Sequence, residues 1–324
     1  MHEIAARIHE YGDADVLRIE TLELAPPGPG EIQIRHTAIG LNFLDIYQRS
    51  GHHRLAQLPA TLGVEGAATV LALGAGVHGF QPGQRIAYAG AVGAYASARN
   101  LPARLAVALP DTISDACAAG AMLKGLTAHM LFAHVRPLRR GDTVLLHAAA
   151  GGLGLVLLQW AKAMGARVIG TVGSRAKAEL ALAHGLDHAI LYREEDFVAA
   201  TLALTGGLGA HFAVDGIGAD TLPRTLAALR PFGMAASVGE VGGAIAAIDP
   251  HLLGPARSIA LARPSVMGLV KDTALYQEGA AATLERLRAG LRIHVDAEFP
   301  LREAALAQRR LEQGGNAGVI LLRP

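Results

Sequence analysis

The run Ala149-Ala150-Gly151-Gly152-Leu153-Gly154 sets small residues at the spacing a phosphate cradle needs. It departs from Gly-x-Gly-x-x-Gly by one methyl, at Ala149. In that pattern the first small residue makes a tight turn, the second lets backbone approach a pyrophosphate, and the third lets helix and strand pack closely. The apolar run DTVLLHAAA (142–150) leads in. A helical pattern leads out, with Leu153, Val156, Leu157, Trp160, Ala161 and Met164 on one face. Strand, glycine turn and helix together are the context in which the motif signifies a dinucleotide site; alone it is weak. The competing reading is a turn that only packs a helix on a sheet.

About 20 residues beyond the glycines, a cofactor with a free ribose 2′-hydroxyl calls for an acid. Counting on from Gly154 arrives at Gly173, then Ser174, Arg175 and Lys177, with no acid before Glu179. A hydroxyl and two cations offer the donors and positive charge that a 2′-phosphate requires. Cations in the first turn of a helix also oppose its dipole, and a bound phosphate offsets that mismatch. The pattern favours NADP(H) over NAD(H); the competing reading is a solvated helix start with ordinary surface cations.

Other chemistries find little support. The single cysteine, Cys117, can form neither an internal disulfide nor a cysteine zinc cluster, so the chain reads as a reduced, cytoplasmic protein. The 14 histidines include no HExxH spacing, and the neighbours His52 and His53 are poorly placed to share one ion. Basic and acidic residues number 29 and 28 without a basic block, which argues against a nucleic-acid partner. The first residues mix charges and lack the apolar core of a signal peptide. No uncharged apolar stretch of about 20 residues predicts a membrane span.

The elements that must position these residues fall into two rhythms over 324 residues, enough for two domains. Up to about residue 110, short runs such as EIQIRHTAIG, ATVLALGAGV, QRIAYAG and LAVALP alternate with turns at PPGPG and QPGQ. They predict a compact β-rich domain, a barrel. A helix opening at Ser114 leads into the second rhythm. From 142 to about 265, strands and helices alternate, predicting an α/β domain with a doubly wound parallel sheet. The closing segments, IHVDAEFPL and GVILLRP, look like the first domain again. The boundaries expected are 1–120 completed by 271–324, and 121–270.

Several long motifs carry a family resemblance. LKGLTA (123–128), HAAAGGLGLVLLQWAKAMGARVIGTVG (147–173), YREED (192–196), AIGLNFLDIYQRSG (38–51), LGVEGAATV (62–70) and ARPSV (262–266) resemble the zeta-crystallin-like NADPH:quinone oxidoreductases. These are a zinc-free branch of the medium-chain dehydrogenase/reductase superfamily. The resemblance implies a GroES-like catalytic domain, a Rossmann domain and NADPH held in a cleft between them. It places Ser174, Lys177 and Tyr192 around the adenosine phosphate, and Val238, Gly239, Arg263 and Ser265 beside the nicotinamide half. Asn42, Tyr47, Lys124 and Thr127 are placed near the ring and the acceptor. It also implies a homodimer joined through the last Rossmann strand, SIALARPS. Glu240 departs from the small polar residues usual at its position; contact with cofactor or substrate and exposure to solvent are both open.

In zinc-dependent relatives a Cys and a His-Glu pair help hold the metal; the aligned positions here are Asn42 and Val64-Glu65. That favours an acceptor whose reduction needs no Lewis acid. Deprotonating an alcohol in water means a pKa near 16, for which zinc is the usual answer. Hydride transfer to a quinone leaves a phenolate-like oxyanion, with a conjugate-acid pKa of about 10, which hydrogen-bond donors can stabilise. Asn42 and Tyr47 are the expected donors; Asn42 as a turn residue and Tyr47 as a packing aromatic compete with that role. No dedicated acid–base dyad stands out, Tyr95 and Lys124 are secondary candidates, and Asp215 reads as structural. The alternatives kept are reduction of α,β-unsaturated carbonyls and a non-catalytic NADPH- or RNA-binding role.

Overall fold

The computed structural model describes residues 2–324. The chain divides into two compact units, one running through Leu126 and resuming over Leu269–Pro324, the other spanning Thr127–Gly268.

The first unit is built on the long strand Glu31–Leu41. Ile32, Ile34, His36 and Ala38 are buried at every second position, while Arg35 is exposed, the period-2 pattern of a half-buried strand. This strand pairs antiparallel with Glu65–Leu73, with Ala98–Pro102 and with the C-terminal strand Val319–Arg323. Glu65–Leu73 continues the sheet to Arg85–Ala89, and Val319–Arg323 continues it to Val295–Pro300. A second sheet of three strands places His2–Ile8 between Leu17–Glu23 and Ala60–Thr61. The chain end is therefore an internal strand of the first unit.

Three local expectations need correction. LAVALP is mostly not strand: only Val107–Ala108 pairs, after a 3-10 turn over Ala103–Leu105. The strands His2–Ile8, Leu17–Glu23 and Ala98–Pro102 are additional to the sequence reading. Residues 42–51 hold the helix Phe43–Ser50, an element the strand-and-turn pattern of the first domain does not predict. Its signals are local. Asn42 is extended at the N-cap, its N–H donates to the Asp45 carboxylate at 2.9 Å, and Gly51 closes the helix at φ 81°.

The second unit contains a six-stranded sheet. Its order is His188–Leu191, Arg167–Val172, Thr143–Leu146, Ala210–Asp215, Leu229–Ser237 and Ala260–Ala262, every pair parallel. In chain order that is 3-2-1-4-5-6, the doubly wound dinucleotide-binding arrangement, with its switch point beside Thr143–Leu146. Leu145, Ile169, Phe197, Ala213, Leu226 and Ala235 share its core. The last strand is shorter than SIALARPS suggested, because Pro264 lacks a ladder donor.

The helix Asp115–His129 continues through a π-helical turn to Val135. Among the described residues it is the one segment long and apolar enough to cross a bilayer, and most of it is buried within the protein. Its apolar side chains are accounted for as core.

Candidate active site

The glycine turn is held by packing that admits no larger residue at Gly154. A Cβ on Gly154 would lie 2.3 Å from the Ala148 carbonyl oxygen and 2.8 Å from the Ala149 backbone. The left-handed residue of the turn is Ala148, at φ 50°, one place before the expected first small residue. Ala149 instead ties the turn to the next strand, its N–H donating to the Thr171 carbonyl at 3.0 Å. Gly170 leaves room for Ala149, since a Cβ there would lie 2.5 Å from the Ala149 methyl. Gly151 is the N-cap of the helix Gly152–Ala163 and offers no capping side chain. The first-turn N–H groups of Gly152, Leu153 and Gly154 thus lie behind a backbone-only rim, suited to phosphate oxygens.

At the ends of the neighbouring strands, Ser174 caps the helix Arg175–Ala183, its Oγ accepting from the Lys177 N–H at 3.3 Å. Tyr192 packs over Gly173, where a Cβ would come within 3.2 Å of the phenol oxygen, and half of Tyr192 is exposed. Gly173, Ser174, Lys177 and Tyr192 therefore gather at one corner. An acid does approach it, from the following loop: Glu194 lies 3.7 Å from Arg175, both largely exposed. An exposed pair at that distance contributes little.

The fifth strand ends in Ser237, whose Oγ is buried without a hydrogen-bond partner. Val238 follows, donating its N–H to the Asp215 carbonyl at 2.8 Å. Gly239 lies against Gly216, where a Cβ would meet a carbonyl oxygen at 2.9 Å. Glu240 resolves one way: its side chain is mostly buried and ion-paired to Arg263, which Glu240 thereby holds. Ser265 is exposed and its carbonyl accepts from the Gly268 N–H. Asp215 is structural as read, its carboxylate accepting from the N–H groups of Ile217 and Gly218 and from the Thr225 hydroxyl. The same hydroxyl reaches His147 Nε2, and burial holds His147 below the usual imidazole range.

The first unit brings Asn42 and Lys124 together around Glu65, whose partnership with a lysine is not among the expectations from sequence. Lys124 Nζ donates to Asn42 Oδ1 at 2.8 Å and to Glu65 Oε1 at 2.7 Å. Asn42 Nδ2 donates to the same Glu65 oxygen at 2.8 Å, and the Leu123 N–H satisfies Glu65 Oε2 at 2.8 Å. The amide orientation is dictated, because an ammonium demands an oxygen and a carboxylate demands a donor. Asn42 is thus an interior link and one of its amide hydrogens is committed, which weakens its expected role as a free oxyanion donor. Glu65 has no exposure at all. Gly40 makes the space, since a Cβ there would lie 2.5 Å from Glu65 Oε1 and 2.2 Å from the Ala119 carbonyl oxygen. Val64-Glu65 carried a signal in its alignment with a metal-binding His-Glu pair, but the lysine partner 59 residues away could not be read from spacing.

Behind this group, Asp45 Oδ2 accepts from the Asn42 N–H and the Tyr95 hydroxyl, while Oδ1 has no partner. Burial pushes the Asp45 carboxyl up to about 7 and the Tyr95 phenol well above its ordinary value. Tyr95 is committed to Asp45 and is not a free acid. Tyr47 lies on the helix Phe43–Ser50 in an aromatic cluster, its ring centroid 5.3 Å from His52, 5.2 Å from His53 and 6.3 Å from Phe43. Thr127 is buried on the next turn after Lys124. His36 is buried and neutral, pulled down to about 3 by desolvation, with Nδ1 on the Ala96 carbonyl and Nε2 on the Tyr88 hydroxyl.

Comparison with known proteins agrees with this geometry. Residues 28–111 match the alcohol dehydrogenase GroES-like domain and residues 152–282 match the zinc-binding dehydrogenase family. The quinone oxidoreductase of Pseudomonas aeruginosa is 40% identical over 97% of both chains. A 2-haloacrylate reductase from a Burkholderia species is 39% identical over 99% of both. The structure of an Escherichia coli quinone oxidoreductase complexed with NADPH superposes with a TM-score of 0.95 at 37% identity, covering both chains completely. The chain belongs to the quinone oxidoreductase family of the medium-chain dehydrogenase/reductase superfamily and, with its GroES-like and Rossmann units, is an oxidoreductase of that fold.

Proposed function

We propose that the protein is an NADPH-dependent quinone reductase. The observation that carries the cofactor is the uncapped glycine turn of the second unit together with the Ser174–Lys177–Tyr192 corner. The orphaned Ser237 hydroxyl adds a buried polar atom awaiting a partner. These features fit NADPH: Gly151 to Gly154 would take the pyrophosphate, Ser174 and Lys177 the 2′-phosphate with Tyr192 beside it, and Val238, Gly239 and Ser265 the nicotinamide side. Arg263, held by Glu240, would border that side rather than bind it directly. When bound, NADPH supplies the hydride.

The first unit supplies the acceptor's environment. Tyr47 and its aromatic neighbours offer flat apolar faces for a planar ring, and Lys124 and Asn42 offer donors for the oxygen that becomes charged. Zinc does not fit this donor set. The Lys124 ammonium already neutralises Glu65, so a divalent cation there would face a buried positive charge. The reaction is therefore metal-independent on our reading. The protein works in the cytoplasm with its one thiol, Cys117, free. It forms a homodimer through Ala260–Ala262, the outer strand of the six-stranded sheet.

A second acceptor class is favoured by the 2-haloacrylate reductase relative: α,β-unsaturated carbonyls, which take hydride at a conjugated carbon under the same electrostatic demands. Steady-state rates with NADPH and NADH against a panel of quinones and enones test the proposal. Turnover of quinones with a clear preference for NADPH is the expected result; turnover of enones alone transfers the assignment to the second class.

A further inference from the structure

Reduction of a quinone to a hydroquinone takes up two hydrogens, and a hydride delivers one of them with both electrons. The remaining proton must come from an acid. We propose that Lys124 is that acid, passing a proton from Nζ to the acceptor oxygen, and that Glu65 is the residue that positions it. This rests on the quinone-reductase reading above.

The geometry leaves Lys124 one hydrogen to give. An ammonium has three N–H groups. Two are engaged, on Asn42 Oδ1 and Glu65 Oε1, and among the described residues no acceptor takes the third. Its two anchors are themselves fixed. Glu65 is gripped at its other oxygen by the Leu123 N–H and is boxed in by Gly40. Asn42 is gripped at its backbone N–H by Asp45. What solvent access the pair retains is on the lysine, whose side chain is 8% exposed against 0% for Glu65. Two nearby titratable groups are committed elsewhere: the Tyr95 hydroxyl donates to Asp45, and His36 is neutral between Ala96 and Tyr88.

The step balances. After hydride transfer the acceptor carries an oxyanion. The Nζ–H bond breaks with its electron pair left on nitrogen, and an O–H bond forms on the acceptor. Nothing is oxidised or reduced in this step, and the amine regains its proton from water. Phenolates and alkylamines are bases of comparable strength in water, so proton transfer between the two classes is not steeply uphill.

Two variants of the full chain test the proposal. Lys124→Arg keeps the ion pair but presents a guanidinium that does not release a proton. Lys124→Met combined with Glu65→Gln removes both charges, leaving no lone buried carboxylate. Each is assayed with saturating NADPH on quinones whose hydroquinones range from weakly to strongly acidic. The expected result is about a hundredfold loss of kcat for acceptors with weakly acidic hydroquinones, shrinking steadily towards no loss for strongly acidic ones, which can leave as anions. A second readout uses the NADP⁺-bound chain with 4-nitrophenol as the probe. Wild-type protein is expected to lower the ionisation midpoint of the bound phenol by about one unit, and the double variant to restore it. Equal losses across the quinone series, or a midpoint unaffected by the double variant, overturns the role of Lys124 and leaves the quinone-reductase reading in place. A wild-type protein that reduces no quinone overturns both.

Discussion

At the scale of single residues, the adenosine corner can be tested by charge. Lys177 follows Ser174 on the first turn of its helix, where a 2′-phosphate would gain a cation that a plain ribose would not use. Lys177→Glu is expected to raise the Kd for NADPH at least tenfold and to change that for NADH by less than threefold, on the usual worth of a charged hydrogen bond. Fluorescence titration with both cofactors checks it, and equal effects remove the phosphate assignment. Asp45 gives a pH-linked prediction. Its folded-state carboxyl is raised to about 7 from an ordinary 3.8. Between those values the folded state binds more protons than the unfolded one, so this group's contribution to stability falls as pH rises from about 4 to about 7. Asp45→Asn does not titrate. The melting temperature of the variant minus that of wild type should therefore climb by roughly 3 °C or more across that window and level off above it. A difference that is flat with pH would show that Asp45 titrates normally.

At the scale of elements, the turn between Thr143–Leu146 and the helix Gly152–Ala163 depends on contact between backbones. Gly154→Ala places a methyl 2.3 Å from the Ala148 carbonyl oxygen, so helix and strand must separate. The expected loss is about 1–3 kcal/mol of stability, the usual cost of overpacking, with NADPH binding weakened more than tenfold because the phosphate cradle opens. Thermal melts and cofactor titration read both, and a variant with wild-type affinity would show that the third glycine is not needed for the cradle. Much of this element was legible: Gly151 and Gly154 stand in a strand–turn–helix context that few other structures require. The helix Phe43–Ser50 has local signals, with Asn42, Asp45 and Gly51 at cap positions, yet it is not predicted from the sequence pattern. Eight residues give barely two turns of periodicity, and the flanking strands dominated the pattern.

At the scale of the whole molecule, the C-terminal strand Val319–Arg323 lies between Val295–Pro300 and Glu31–Leu41, in the interior of the first unit's sheet. Val319, Ile320, Leu321 and Leu322 are all buried. At about 1.5–3 kcal/mol each, their burial is on the order of the whole stability of a domain. Deleting residues 318–324 is expected to abolish cooperative unfolding of the first unit in calorimetry; a truncated chain that melts like wild type would mean the sheet closes without this strand.

The division of labour between sequence and structure follows from the range of the interactions. Features governed by neighbours along the chain were readable without coordinates: the strand–glycine turn–helix unit, the cationic helix start, the alternation of strand and helix, and the return of the last segments to the first unit. Each depends on spacing, periodicity or composition within a few tens of residues. The Glu65–Lys124–Asn42 group, the Glu240–Arg263 pair and the approach of Glu194 to Arg175 were decided by tertiary structure alone. In the first, an isolated carboxylate and an isolated ammonium are each too costly to bury, and only the fold brings them close enough to offset one another. Spacing in sequence carries no record of that meeting.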